Sequence, residues 1–205
     1  DSAVDILVTR KFANSGQVCV SPNRFYVHES IVEDFTQRFC EATLKIVVGD
    51  GMKPGVTMGP LANLRRLEAV EGLVEDAVRR GARLVTGGAR LVGQGFAFPP
   101  TVLRDVPEES DLMSVEPFGP IVPIVSFNSY NDLLRCANAT EYGLAAYIFS
   151  RDEKRQRYLT AIIPWYQRTM IRWSPTWCRQ NMFTLLGQIC PNHVLDVARP
   201  TLVPG

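Results

Sequence analysis

Strand-like and helix-like segments alternate along the first 150 residues, and that alternation most narrows the architectures open to the chain. Residues 3–13 read as a helix, and residues 22–28 (PNRFYVH) carry the aromatic and β-branched side chains of a strand. Ser30 and Glu33 stand at capping-box spacing, and Ile31, Val32, Phe35, Phe39 and Ala42 recur at helical intervals. That pattern predicts an amphipathic helix over residues 30–45. A loop rich in Gly and Pro covers residues 49–60. Leu67, Val70, Val74, Ala77 and Val78 mark another helix, with Gly81 as its left-handed stop. Short strands are expected at residues 83–86, 101–106, 121–127 and 145–150, with a helix opened by Ser129 and Asp132 before the last. Strands separated by helices of this length predict an α/β layer fold with a largely parallel sheet.

Composition then removes function classes. A chain of 205 residues makes one domain or two small ones, and 46% hydrophobic with 21% charged residues excludes a disordered chain. No apolar run reaches the ~18 residues of a membrane span. A net charge of +1 leaves no basic footprint for nucleic acid. Five scattered cysteines, an odd count, point to reduced thiols and a cytoplasmic location. No export signal is visible at the start, and the absence of an initiating Met leads us to expect a piece of a longer protein. Charge is uneven: residues 1–150 hold 14 basic and 18 acidic side chains, residues 151–205 hold 8 and 3. Trp165, Trp173 and Trp177 all fall in that second block, where the punctuation also fails.

One short run carries chemistry on its own terms. Asn14-Ser-Gly-Gln-Val-Cys19 lies where a helix gives way to a glycine-bearing turn before a strand. A thiol there can be exposed, with turn N–H groups aimed at an oxyanion beside it, surroundings that make a thiolate nucleophile available. The alternative is that Cys19 is a small buried hydrophobe, as most free cysteines are. Cys40 and Cys136 fall on helix faces and read as packing residues. No CxxC pair occurs, and only His28 and His193 are present, so neither a zinc site nor papain-like chemistry is supported.

Residues 12–24 (FANSGQVCVSPNR) resemble the active-site signature of the aldehyde dehydrogenase superfamily, F-x-N-x-G-Q-x-C with an Arg shortly after. The likeness continues in order through residues 58–61 (MGPL), 98–103 (FPPTVL), 116–120 (EPFGP) and 138–146 (NATEYGLAA). It implies a three-layer α/β catalytic domain over residues 1–150, divergent at its C-terminal end over residues 151–205. Cys19 matches the nucleophile that attacks an aldehyde carbon to give a thiohemiacetal, after which hydride leaves for a nicotinamide and the thioester is hydrolysed. Glu116 matches the carboxylate that hydrogen-bonds the nicotinamide ribose, and Phe118 the aromatic beside that ring. Asn14, Gly16 and Gln17 match residues that shape the cysteine loop. The cofactor implied is NAD or NADP, with NAD favoured. The partners implied are a small aldehyde, no nucleic acid, no membrane, and copies of the parent protein in a homo-oligomer.

Departures from the pattern set further expectations. No Glu of this chain matches the family's general base, and its phosphate-binding turn has no counterpart here. The chain alone is therefore expected to be inactive or nearly so. The middle of the chain looks closest to semialdehyde-oxidising members such as succinate semialdehyde dehydrogenases. Those members commonly carry an Arg where Ala13 stands, and a methyl group cannot replace a bidentate guanidinium. Loss of likeness after residue 150 points to a shifted reading frame or a joined foreign segment, and the tail is expected to pack poorly. An uninterrupted frame through residues 151–205 in independent isolates would overturn that expectation. Two other classes stay open: a structural or interaction module that keeps the fold, and an esterase-like remnant using Cys19 alone.

Overall fold

A computed structural model describes residues 2–93, 95–142, 144–162 and 169–173. Four strands form the main sheet: β1 (Phe25–His28), β2 (Arg83–Thr86), β3 (Thr101–Arg104) and β4 (Ile121–Phe127). Their order is β1-β4-β3-β2, with β4 parallel to both β1 and β3 and β2 antiparallel on the outer edge. The sheet is largely parallel, as the alternation predicted.

Strand residues divide strictly between two faces, because neighbouring side chains on a strand point opposite ways. Phe25, Val27, Val102, Val122 and Ile124 pack against α1 (Ser2–Phe12) and α2 (Val32–Thr43). Tyr26, Leu103, Ile121 and Val125 face α3 (Leu64–Arg79) and the one-turn α4 (Asp111–Ser114). Helix, sheet and helix thus make three layers. Phe39, fully buried at the centre of the first face, meets Phe12, Phe25 and Phe35 with ring centroids 6.1, 5.5 and 5.7 Å apart. Truncating such a residue costs about 3–5 kcal/mol. Phe12 is the last residue of α1, so this packing also fixes where the cysteine loop begins.

The Gly81 stop forms as the sequence predicts, and the Ser30 capping box does not. Asn63 caps α3 by accepting from the Arg66 N–H at 2.9 Å. At the other end the Gly81 N–H donates to Val78 O and the Ala82 N–H to Ala77 O, the paired bonds of a left-handed glycine stop. The capping box at Ser30 does not form. Ser30 Oγ lies 2.9 Å from His28 Nδ1, and Glu33 pairs with Arg104 Nη2 at 2.9 Å, so α2 starts at Val32 without a side-chain cap. Arg104 is 4% exposed, and that buried cation claims Glu33 more strongly than an exposed N–H does.

Beyond the main sheet, α5 (Tyr130–Asn138) leads to β5 (Ala145–Phe149), which pairs in parallel with β6 (Thr169–Trp173). Between them lies α6 (Glu153–Ile162), opened by Asp152 Oδ1 accepting from the Lys154 N–H at 2.9 Å. The sequence reading had no element after residue 150. The tail expected to pack poorly spans residues 151–205, of which residues 163–168 and 174–205, with Trp165, Trp177, Cys178, Cys190 and His193, lie outside the described residues.

Candidate functional site

The cysteine loop is built from an abrupt change of backbone hand. At the end of α1 the chain enters a 3-10 turn, Ala13–Gly16, in which Asn14, Ser15 and Gly16 have φ of 48°, 58° and 74°. Three successive left-handed residues are costly for any side chain but glycine. Contacts from elsewhere hold them. Ser15 Oγ donates to Gly59 O at 2.6 Å, and Gln17 Oε1 accepts from the Ala62 N–H at 2.9 Å. Asn14 Nδ2 donates to Gln17 O while the Gln17 amide donates back to Asn14 O, both at 3.1 Å. Asn14, Gly16 and Gln17 therefore occupy structural positions in the loop. Cys19 follows in a turn and is exposed, which excludes the buried-hydrophobe alternative.

The turn before β4 closes against this loop. A β-carbon at Gly16 would overlap the Gly119 carbonyl oxygen, and one at Gly119 would overlap Val70 Cγ2 on α3. Glu116 and Phe118 on that turn are both half-buried, and Phe118 adopts a left-handed φ of 40°. Burial pushes the Glu116 carboxyl above its ordinary range, opposed by the positive charges of Arg66 and Lys11. Arg66 also donates from Nη1 to Pro117 O at 3.2 Å, tying the turn to α3.

Four of the five sequence motifs meet here, and residues flanking the fifth reach the same loop and the strand after it. Thr101 N–H, after the Phe98-Pro-Pro segment, donates to Pro120 O at 2.8 Å. From β5, Tyr147 donates its hydroxyl to Val20 O at 2.7 Å, next to Cys19. Arg24 donates to Cys136 O and Ala137 O, each at 3.1 Å, holding the C-terminal end of α5 to the strand that follows the loop. Two surface clefts, one beside Glu108 and Arg135 and one beside Asp5, Asp34 and Glu41, include none of Cys19, Glu116 and Phe118.

Sequence reasoning missed Lys11, Arg66 and Tyr147. A Lys in the last turn of a helix reads as a solvated partner of the helix dipole, yet Lys11 is fully buried. Its Nζ donates to Asn23 Oδ1 at 3.2 Å, and burial lowers its pKa to about 7 against the opposing pull of Glu116. No pattern in one sequence marks such a residue. Among the described residues no helix is long and apolar enough to cross a membrane, and no group of three His, Cys, Asp or Glu is placed to hold a metal.

Comparison with known proteins agrees with this geometry. A family model, that of the aldehyde dehydrogenase family, matches residues 1–165. The chain is 42% identical over 155 residues to a succinate-semialdehyde dehydrogenase of Paenarthrobacter nicotinovorans, covering 76% of this chain and 34% of that protein. It is 43% identical over 155 residues to a probable NADP(+) succinate-semialdehyde dehydrogenase of Sinorhizobium fredii, covering 76% and 32%. A crystal structure of an E. coli NADP dependent enzyme superposes with a TM-score of 0.79 at 37% identity, over 83% of this chain and 35% of that one. The chain spans about a third of the length of the curated relatives it matches. Two of these three names specify NADP, so the lean toward NAD finds no support among them.

Proposed function

Because this chain belongs to the aldehyde dehydrogenase family, we propose that it carries the cysteine side of a site oxidising a small aldehyde or semialdehyde to a carboxylate with a nicotinamide cofactor. The reading rests on one observation: exposed Cys19 sits on a loop packed at Gly16 against the turn that bears Glu116 and Phe118. In this reading the Cys19 sulfur attacks the aldehyde carbon, a C–S bond forms, and the carbonyl electron pair moves to oxygen. The Cys19 N–H serves as one donor to that oxyanion. The nicotinamide, when bound, supplies a hydride acceptor. Glu116 fits a ribose contact, since a half-buried carboxylate whose charge is favoured by Arg66 and Lys11 is an acceptor for hydroxyl donors. Phe118 supplies an aromatic wall that limits wandering of the ring.

Water then attacks the acyl carbon of the Cys19 thioester, its C–S bond breaks, and the carboxylate leaves as the Cys19 thiolate returns. No carboxylate of this chain is assigned as the base for that water, so the 205 residues alone are inactive or nearly so in this reading. NADP is the cofactor better supported by the relatives' names. The semialdehyde class rests on those relatives, and Ala13, exposed, offers no guanidinium to a substrate carboxylate. Free Cys19, Cys40 and Cys136 accord with a cytoplasmic setting. Assembly as a homo-oligomer, with neither nucleic acid nor membrane as partner, completes the proposal.

Limiting iodoacetamide at neutral pH followed by peptide mapping tests it. Preferential modification of Cys19 is expected. Equal labelling of all five cysteines would overturn the nucleophile assignment in favour of a structural module.

A further inference from the structure

Lys11 and Asn23 stand at opposite ends of the segment that carries Cys19, and the ammonium of one donates to the amide oxygen of the other at 3.2 Å. A second bond doubles the closure: Ser21 Oγ donates to Lys11 O at 3.4 Å. That same carbonyl also lies against Gly16. Lys11 thus braces the start of the loop, its end and its left-handed middle. Its side chain is wholly buried, and beyond Asn23 the charge that acts on it is that of Glu116, which Arg66 faces from α3.

Stability does not explain a lysine at this position. A buried ammonium carries a desolvation penalty that one amide oxygen and a carboxylate at longer range offset only in part. A methionine of similar volume would fill the space without that penalty. The charge has a use if it sets the loop and the neighbouring turn together: it holds the two loop ends and favours the ionised form of Glu116.

We infer that Lys11 is a positioning residue for the proposed chemistry, clamping the cysteine loop through Asn23 and orienting it toward the Glu116 turn. This rests on the reading of Cys19 as the nucleophile. Lys11 touches no reacting atom; it acts by holding together the two ends of the loop that carries Cys19. Without the clamp the three left-handed residues can relax, and the placement of Cys19 is lost. The groups acting on its amine are Asn23 from the far end of the loop and Glu116 from the turn before β4, while Ser21 bonds its main-chain carbonyl.

The test uses the intact chain, with the iodoacetamide rate at Cys19 and the melting temperature read together. Lys11→Met is expected to melt at the same temperature or higher, yet to alkylate at Cys19 about tenfold more slowly at pH 6, the scale of one lost charge-assisted hydrogen bond. Because the native amine loses its proton near pH 7, the ratio of native to variant rates should fall toward one as pH rises through that value. A merely structural lysine predicts a lower melting temperature and a ratio independent of pH.

A second pair guards against a variant that fails to fold. Asn23→Ala should slow Cys19, while Asn23→Asp, which keeps an acceptor, should restore most of the rate. Equal or faster alkylation in Lys11→Met or Asn23→Ala, with Cys19 still the preferred site in the native chain, overturns the clamp alone. Loss of that preference in the native chain overturns the nucleophile assignment, and the clamp falls with it.

Discussion

The carbonyl oxygen of Gly119 occupies the place where a β-carbon of residue 16 would stand, so the cysteine loop and the Glu116 turn meet with no room for a side chain between them. Gly16 also has a φ of 74°, where any β-carbon is strained. Gly16→Ala is therefore expected to lose about 1–3 kcal/mol of stability and to slow alkylation at Cys19. Urea unfolding and peptide mapping read the two effects. At Gly119 the obstacle is Val70, so Gly119→Ala should be partly rescued by Val70→Ala, and additive losses in the double variant would contradict that contact.

Two hydroxyls fasten the loop to distant parts of the chain. Ser15 donates to Gly59 O at 2.6 Å and Tyr147 to Val20 O at 2.7 Å. Ser15→Ala and Tyr147→Phe should each cost about 1 kcal/mol. Amide hydrogen exchange over residues 13–21 should quicken in both. Unchanged exchange would show that the loop is held without them.

Asp76 controls the acid limit of the fold. Its carboxylate accepts from Arg80 at 2.8 Å, Arg79 at 2.6 Å, the Asp111 N–H at 2.9 Å and Ser110 Oγ at 3.2 Å, joining α3 to α4. The hydrogen bond from Arg80 and then the Asp111 N–H hold its pKa near 2, below the usual 3.8. A depressed carboxylate stabilises fully above its unfolded pKa, and the gain is lost as pH falls through the folded one. Native protein should accordingly exceed Asp76→Asn in urea midpoint at neutral pH, and the gap should close between about pH 4 and pH 2. A gap constant over that window would refute the assignment.

Arg24 acts as a fork rather than a point charge. It reaches Cys136 O and Ala137 O in the last turn of α5, the first of which also accepts from the Ala139 N–H at 3.3 Å and the Tyr26 hydroxyl at 3.2 Å. Arg24→Met should destabilise by about 1.5–3 kcal/mol, and Arg24→Lys should recover less than half, since an ammonium cannot span both acceptors. Denaturant midpoints of the three proteins measure this directly.

How far the fold was legible depends on the range of the interactions that made each element. α2 and α3 each bury one stripe, so Phe39 and Val70 announced themselves by periodicity, while β3 and β4, buried on both faces, showed as short apolar runs. α4 spans one turn, too short for any period, and is opened by Ser110 bonding Leu112 N–H locally. α6 buries only Leu159 and Gln156 among its described side chains, so it lacked a readable stripe, though Asp152 was a cap signal. The box at Ser30 failed because Arg104, far along the chain, took its Glu33. In the candidate site, Cys19, Glu116 and Phe118 were singled out by their motifs, and the structure puts the two motifs in contact at Gly16 and Gly119. Lys11 and Arg66 were not singled out, because a charge buried by tertiary packing looks in sequence like one left in water.

The hydroxyl fastenings of the loop end on peptide oxygens: Gly59 O, Val20 O and Lys11 O. A main-chain acceptor is indifferent to which amino acid presents it. Ala13, exposed at the head of the loop, donates no side-chain bond to this bracing. Such a scaffold can exchange the side chain at residue 13 while the geometry of the loop stays put, which makes the position a natural place for variation without rebuilding the bracing behind it.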